Sequence, residues 1–197
     1  ISDIVQIQFT QLQNYNLTLS LEHEGDDVND RKIAAILADA SRITDHLTVH
    51  TESGEGFHPT RTTDLGMVVT NDPAALTRFH TFRDRLTGQP VAFDGSGVIL
   101  TEKAAKVLNA EVGGTLSLRN QDEIETTVPV AGICENYVQG YVFLSEDLYE
   151  QAFGEDCTFD TVFAKAIESG KADRDALAIQ LLEIDNVTGV SFSTTTI

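Results

Sequence analysis

The sequence predicts an α+β fold in which a split βαβ layer is interrupted by a smaller strand-rich subdomain with short helices. Three observations lead there: a strand, helix and strand signal in succession near the start of the chain, the same succession at its end, and between them a stretch whose apolar period is two. The expected division is residues 13–71 and 158–197 for the discontinuous layer, 72–157 for the insertion, and 1–12 for an amphipathic helix ahead of both.

Ile1, Ile4, Val5, Gln8, Phe9 and Leu12 fall at helical spacing. Tyr15, Leu17, Leu19 and Leu21 then alternate with Asn16, Thr18, Ser20 and Glu22, as in a strand with one buried face. The turn Glu24-Gly25-Asp26-Asp27 supplies a helix cap, with Asp26 or Asp27 ahead of inward Ile33, Ile36, Leu37 and Ala40. A second alternating strand sets Leu47 and Val49 against His46, Thr48 and His50, the latter set facing solvent. Strand, helix and strand make a βαβ unit or half of a split βαβ sandwich. Residues 51–61, with Gly54, Gly56 and Pro59, read as a loop, Met67-Val68-Val69 as a short strand, and Asn71-Asp72-Pro73 as a turn. Residues 74–86 read as a helix carrying Leu76, Phe79, Phe82 and Leu86.

After the Asp94-Gly95 turn, Val98 to Leu100 form a buried strand, and Thr101 is placed to cap a helix with Ala104, Ala105, Val107 and Leu108 on one face. Gly113-Gly114 breaks the chain before a hairpin, Leu116 and Leu118 on one arm, Ile124, Thr126, Val128 and Val130 on the other, with 120–123 at its tip. Tyr141 to Leu144 make another strand, ending at Ser145, which caps a helix that buries Leu148, Tyr149, Ala152 and Phe153 and stops at Gly154. Residues 159–167 are strand-like, Asp173 is placed to cap a helix with Leu177, Leu181 and Ile184, and Val187 to Phe192 close the chain as a strand.

The succession GVILTEKAAKVL, GGT, VAGICENY and YVFLSEDLYEQAFG resembles the extracytoplasmic, MacB-like periplasmic core domain of MacB/FtsX-type ABC transporter permeases. The likeness covers about residues 90–165 well and the rest more loosely, and rests on Gly97, Val98, Thr101, Glu102, Gly113, Gly114, Glu135, Asn136, Tyr137, Ser145 and Tyr149. These are mostly turn and cap residues, so the resemblance implies architecture without a catalytic site. It implies a porter-like layer interrupted by a Sabre-like subdomain, lying on the extracytoplasmic side of a cell membrane between two transmembrane helices. Residues 1–12 would then be a juxtamembrane stalk; an ordinary helix packed on the body fits the same periodicity.

At 197 residues the chain is long enough to bury a core without disulfides or metal. With 31 acidic against 13 basic residues the net charge is −18, which repels nucleic-acid phosphates and anionic lipids and excludes a nucleic-acid partner. No apolar run has the length to span a bilayer, and the chain opens at Ile1 without a signal sequence, as an excised piece would. Cys134 and Cys157 form no metal motif; a disulfide between them is permitted outside the cytoplasm, whereas two buried thiols are the commoner state.

Chemistry-bearing patterns are sparse. His46 and His50 would share a metal at about 6 Å on a helix, but on a strand they stand about 13 Å apart. His58 and His80 lack carboxylates or cysteines at ligand spacing. The run Asp26 to Asp30 lacks the glycine and glutamate of a calcium loop, Gly95-Ser96-Gly97 precedes a strand where a phosphate loop follows one, and Ser96 lacks the nucleophile-elbow frame. The expectation is therefore no catalytic residue, cofactor or metal. Glu135-Asn136-Tyr137 is the candidate partner-contact surface, with Asn136 at positive φ and Tyr137 as a half-buried anchor its plain turn-forming alternative.

The resemblance implies a non-catalytic domain that relays ATP-driven motion of transmembrane helices outward. Its partners would be a cytoplasmic ABC ATPase reached through those helices and an external peptide, lipoprotein or cell-wall protein. The outputs would be export, antimicrobial-peptide sensing or control of a cell-wall hydrolase. The full-length permease would be dimeric and the isolated domain a monomer. A secreted or anchored ligand-binding module using the cleft between the two parts is the alternative, followed by an enzyme with clustered titratable groups.

Overall fold

The structure is a computed structural model that describes residues 2–24 and 27–193. Helix α1 (Ser2–Ile7) runs into a π-helical turn (Gln8–Leu12), followed by β1 (Leu17–Leu21), α2 (Asp27–Leu37), β2 (Ile43–His58), β3 (Arg61–Thr70) and α3 (Pro73–Leu76). Next come β4 (Val98–Thr101), α4 (Glu102–Leu108), β5 (Thr115–Arg119), β6 (Glu125–Cys134) and β7 (Tyr141–Ser145). The chain ends with α5 (Glu146–Phe153), β8 (Thr161–Ala166), α6 (Lys171–Leu182) and β9 (Val187–Phe192). It divides into two compact units, Asn14–Val49 with Thr158–Ile197, and Ile1–Gln13 with His50–Cys157.

In the first unit β1 and the start of β2 both run antiparallel to β8, so they are parallel to each other with β8 between them. Strands β8 and β9 stand in the same relation across β1. Two split βαβ units thus interleave in the order β9-β1-β8-β2, the ferredoxin-like arrangement. Leu17, Leu19, Val162 and Ala164 from the sheet meet Ile33, Ile36 and Leu37 of α2 and Leu177 and Leu181 of α6 in one core. Ala40 is exposed, because α2 ends at Leu37 and Asp39 folds the next residues into a turn, accepting from the Ser41 N–H and hydroxyl. Asp173 is not the cap of α6: Gly170 holds that place, and the Asp173 carboxylate inside the first turn accepts from the Ser169 hydroxyl. The expected cap Asp26 lies outside the described residues.

The second unit is the larger of the two, where a smaller insertion was expected, because residues 50–71 and the N-terminal helical segment pack with it. Its pairings close on themselves, β2-β3-β7-β4-β6-β5-β2, with parallel pairs β3/β7 and β4/β6. A ring of pairs has no free edge and gives each strand one inward face. Leu65, Met67 and Val69 of β3, Val98 and Leu100 of β4, Leu116 and Leu118 of β5, Val128 and Val130 of β6, and Val142 and Leu144 of β7 join one core with α4 and α5. The short apolar runs of β3, β4 and β7 are buried on both faces, as parallel strands require. Their outer residues meet aromatic side chains, with the Phe82 and Phe143 rings 4.9 Å apart and those of Phe82 and Phe93 5.5 Å apart.

Three sequence expectations fail here for tertiary reasons. Residues 51–58 are strand rather than loop, and their glycines are there for close approach: a Cβ on Gly56 would stand 2.5 Å from Leu108 Cδ1. Helix α3 is a single turn capped by Asp72, after which the chain extends to bridge His80 to Gln13 and Arg83 to Pro90. Leu86 is 81% exposed beside the turn built on Asp84, so the helical spacing of residues 76–86 is coincidental. Thr101 precedes α4 without capping it; its hydroxyl accepts instead from the Tyr141 N–H. Ser145 does cap α5, accepting from the Leu148 N–H at 3.2 Å, and Gly154 ends that helix at φ 71°.

A methyl group on Gly54 would lie 2.6 Å from the Arg119 carbonyl oxygen and 2.5 Å from Met67 Cε. Gly54→Ala is therefore expected to destabilise the chain by about 1–3 kcal/mol, read as a lower urea midpoint, since the backbone contact cannot relax by a rotamer change.

Candidate functional site

Strand β2 carries a carboxylate into the core. From His50 onward its even-numbered residues turn inward, which buries His50 and Glu52 while His46 on the same face is exposed. The expected solvent-facing position thus holds for His46 and is corrected for His50. Glu52 Oε1 accepts from His50 Nε2 at 2.8 Å and from the Tyr149 hydroxyl at 2.5 Å, and Oε2 accepts from the Gln121 N–H at 2.8 Å. A carboxylate only accepts, so His50 carries its proton on Nε2. Burial pushes the Glu52 carboxyl up, but these hydrogen bonds together outweigh it and hold the group below its ordinary range. The Tyr149 hydroxyl is pushed up, by burial first and then by its bond to Glu52.

Asn120 completes this network. Its Nδ2 donates to Glu155 Oε1 at 2.6 Å and to the Tyr149 oxygen at 3.3 Å, while Oδ1 accepts from the Asp122 and Ile124 N–H groups. The β5–β6 tip, expected as a polar turn, is therefore fastened inward to β2 and α5. Beside it opens a groove of about 660 Å³ with Glu55, Asp64, Glu123, Gln121, Gln139 and Arg119 in its wall. Arg119 is spoken for by Glu125 at 2.5 Å and Glu55 at 3.8 Å, so the groove is net acidic. None of these residues is arranged as a nucleophile with a base, and among the described residues no group of three or more His, Cys, Asp or Glu side chains could hold a metal ion.

The three residues singled out in sequence form a second polar cluster. Glu135 is buried and accepts from Arg83 Nε at 2.6 Å and from the Tyr137 hydroxyl at 2.5 Å. Gln8, in the π-helical turn, donates from Nε2 to Asn136 Oδ1 and accepts at Oε1 from the Tyr137 N–H, each at 2.9 Å. Gln11 accepts from Arg83 NH2 at 3.0 Å. These contacts clasp the N-terminal helical segment to the β6–β7 connection. Asn136 does not take the positive φ of its plain alternative; Asn109 and Glu123 are the non-glycine residues that do among those described. The inward side of this helical segment is Gln8 and Leu12, while Ile4 and Val5 are nearly half exposed.

Cys134 and Cys157 are free thiols, so the candidate disulfide is not made. Burial, then the Glu135 charge, pushes Cys134 up to about 12, and burial, then Glu146 and Glu150, does the same to Cys157. Glu52, Gln8 and Arg83 were not found from sequence. One inward polar residue on a strand has no periodic signature, and partners 128 and 52 residues away in the chain have none either.

No protein-family profile matches this chain, and no curated protein sequence matches it. The solved structures similar to it include the following two. One is the extracellular domain of the noncanonic ABC-type transporter YknZ from Gram-positive bacteria, 12% identical with a TM-score of 0.45, covering 90% of this chain and all of that one. The other is the periplasmic region of MacB from Actinobacillus actinomycetemcomitans, 11% identical with a TM-score of 0.48, covering 95% of this chain and 93% of that one. No helix among the described residues is long and apolar enough to cross a membrane.

Tyr149→Phe leaves Glu52 buried with one donor fewer, and is expected to lower stability by about 1.5–3 kcal/mol in urea unfolding at neutral pH. Because the folded Glu52 pKa lies below the unfolded 4.5, its contribution is present above that value and is lost as pH falls through the folded one. His80 titrates in a different window: burial holds its imidazole at about 3 against 6.5, so the unfolded chain takes up a proton that the folded one refuses. Stability is therefore expected to fall from about pH 7 down toward about pH 3, and His80→Leu to flatten that fall in urea midpoints.

Proposed function

We propose that this chain is the extracytoplasmic domain of a MacB/FtsX-type ABC transporter permease and relays the motion of transmembrane helices to an external partner. The observation that carries the reading is the clasp on the N-terminal helical segment. Gln8 and Gln11 are tied to Asn136, Tyr137 and the Arg83–Glu135 pair, so a displacement of α1 reaches the strand-rich unit through side-chain hydrogen bonds. That is the connection a relay needs at the end of the chain where the resemblance sets a membrane helix. The residues that carry the resemblance support it further: Glu102 opens α4, Gly113 makes a positive-φ turn, and Ser145 caps α5.

In this reading ATP is hydrolysed by a separate cytoplasmic ATPase, and the domain has no reaction of its own. The external partner is a peptide, lipoprotein or cell-wall protein. A net charge of −18 favours a cationic one, because long-range attraction raises the encounter rate. The open acidic groove beside Arg119 is a suitable place for basic side chains to land.

The codons that flank this chain in its gene test the reading directly. Apolar runs of about 20 residues on both sides are expected; a signal peptide on one side and a stop codon on the other would overturn it. The relay has a test of its own in amide hydrogen exchange. Gln8→Ala is expected to speed exchange at the Tyr137 amide and through α1, and unchanged exchange there would remove the clasp as a path for force.

A further inference from the structure

In a chain with 31 acidic and 13 basic residues, one cavity of about 220 Å³ has no carboxylate in its wall. It lies at the β2–β3 turn, and its polar lining is His58, Thr60, Arg61, Lys106 and Asn109. The hairpin register pairs His58 directly with Arg61, which sends both side chains from the same face. Gly56 shares that face two residues earlier, and the 2.5 Å that a Cβ there would leave to Leu108 Cδ1 shows that the end of α4 lies directly against it. Lys106 and Asn109 belong to that end, three residues apart and hence on one side of the helix.

The polar groups of this cavity are underused. His58 Nδ1 is buried with no hydrogen-bond partner among the described residues. Arg61 makes no ion pair or side-chain hydrogen bond among them either. Lys106 reaches Glu102 at 3.4 Å with its own side chain 73% exposed, a pairing of small worth. A buried nitrogen left unmatched costs about 1–3 kcal/mol, which a bound acceptor would relieve.

We propose that this cavity binds a small oxyanion of the phosphate type. Arg61 supplies a planar fork of donors, Lys106 a point charge, and His58, Thr60 and Asn109 further donors around them. That is more donors than the two oxygens of a carboxylate use, and it suits the several oxygens of a phosphate. The volume equals roughly seven waters at their liquid share, room for the anion and part of its hydration. Two effects oppose binding, and neither decides the outcome. The carbonyls at the end of α4 are partly taken up by the Asn109 N–H, which donates to Ala105 and Lys106. The Glu102 carboxylate, 3.4 Å from Lys106 Nζ, offsets part of the cationic charge, while Arg61 pairs with no carboxylate among the described residues and more distant charges are screened over about 8 Å.

Inorganic phosphate titrated into the chain, followed by nuclear magnetic resonance at constant ionic strength with chloride as the reference, tests the site. Saturable shifts confined to His58, Thr60, Arg61, Lys106 and Asn109 are expected. Arg61→Gln should weaken the apparent affinity at least about tenfold, the loss of one charge-assisted hydrogen bond, with Arg61→Lys in between. Shifts that match those of chloride, or that persist unchanged in Arg61→Gln, would overturn the proposal. Vesicles of phosphatidic acid against phosphatidylcholine separate the sources. Attachment that Arg61→Gln abolishes assigns the cavity to a headgroup phosphate, and saturable phosphate shifts without attachment assign it to the free anion.

Discussion

The buried carboxylate of Glu52 is the constraint on which the strand-rich unit depends. Removing a carboxylate from water costs several kcal/mol even after the surroundings relax, and the cost is met only where enough donors converge. Here they come from three places in the chain: His50 on the same strand, the Gln121 N–H at the β5–β6 tip, and the Tyr149 hydroxyl on α5. Each donor is in turn oriented by its neighbours, Tyr149 by Asn120 and Asn120 by the turn it closes. The strand, the hairpin and the helix are therefore correct together or not at all, a polar lock inside a core that is otherwise aliphatic.

Geometry explains why such a lock belongs here. A closed ring of six strands has a narrow interior, already filled by side chains from β3 to β7 and by α4 and α5. Where β2 joins that wall it has no room for further large residues, so Gly54 and Gly56 follow the paired His50 and Glu52 along the inward face. The glycines admit Met67 and Leu108, and the polar pair fixes the register of the strand that contributes to both units.

The same logic of side chains reaching far along the sequence governs the N-terminal helical segment. It presents Gln8 to the β6–β7 connection and Gln11 to Arg83, which pairs with Glu135 in that connection. An amide reads both a donor and an acceptor, so Gln8 holds Asn136 and the Tyr137 N–H in one orientation where an apolar contact would allow sliding. A directional clasp of this kind transmits displacement, which is what the proposed role asks of this end of the chain. The cationic notch at the β2–β3 turn stands apart from it, the product of one hairpin register and one helix end.

By itself the sequence determined what depends on near neighbours. Alternation in β1, β5 and β6, the Ser145 cap and Gly154 stop of α5, and the two strand-helix-strand successions at the chain ends were all legible, because side-chain period and cap chemistry are local. The tertiary structure alone decided the rest. It made strand of the glycine-bearing residues 51–58, since the close approach of Met67 and Leu108 leaves no room for side chains at Gly54 and Gly56, and it unwound the expected helix beyond Leu76, where Phe82 packs its ring against Phe143 of β7. It also tied Glu135, Asn136 and Tyr137, the candidate contact residues, to the N-terminal helical segment, and it gathered Glu52 with its donors. Those outcomes rest on contacts between residues distant in the chain, and no periodicity in a single sequence records which distant residues will meet.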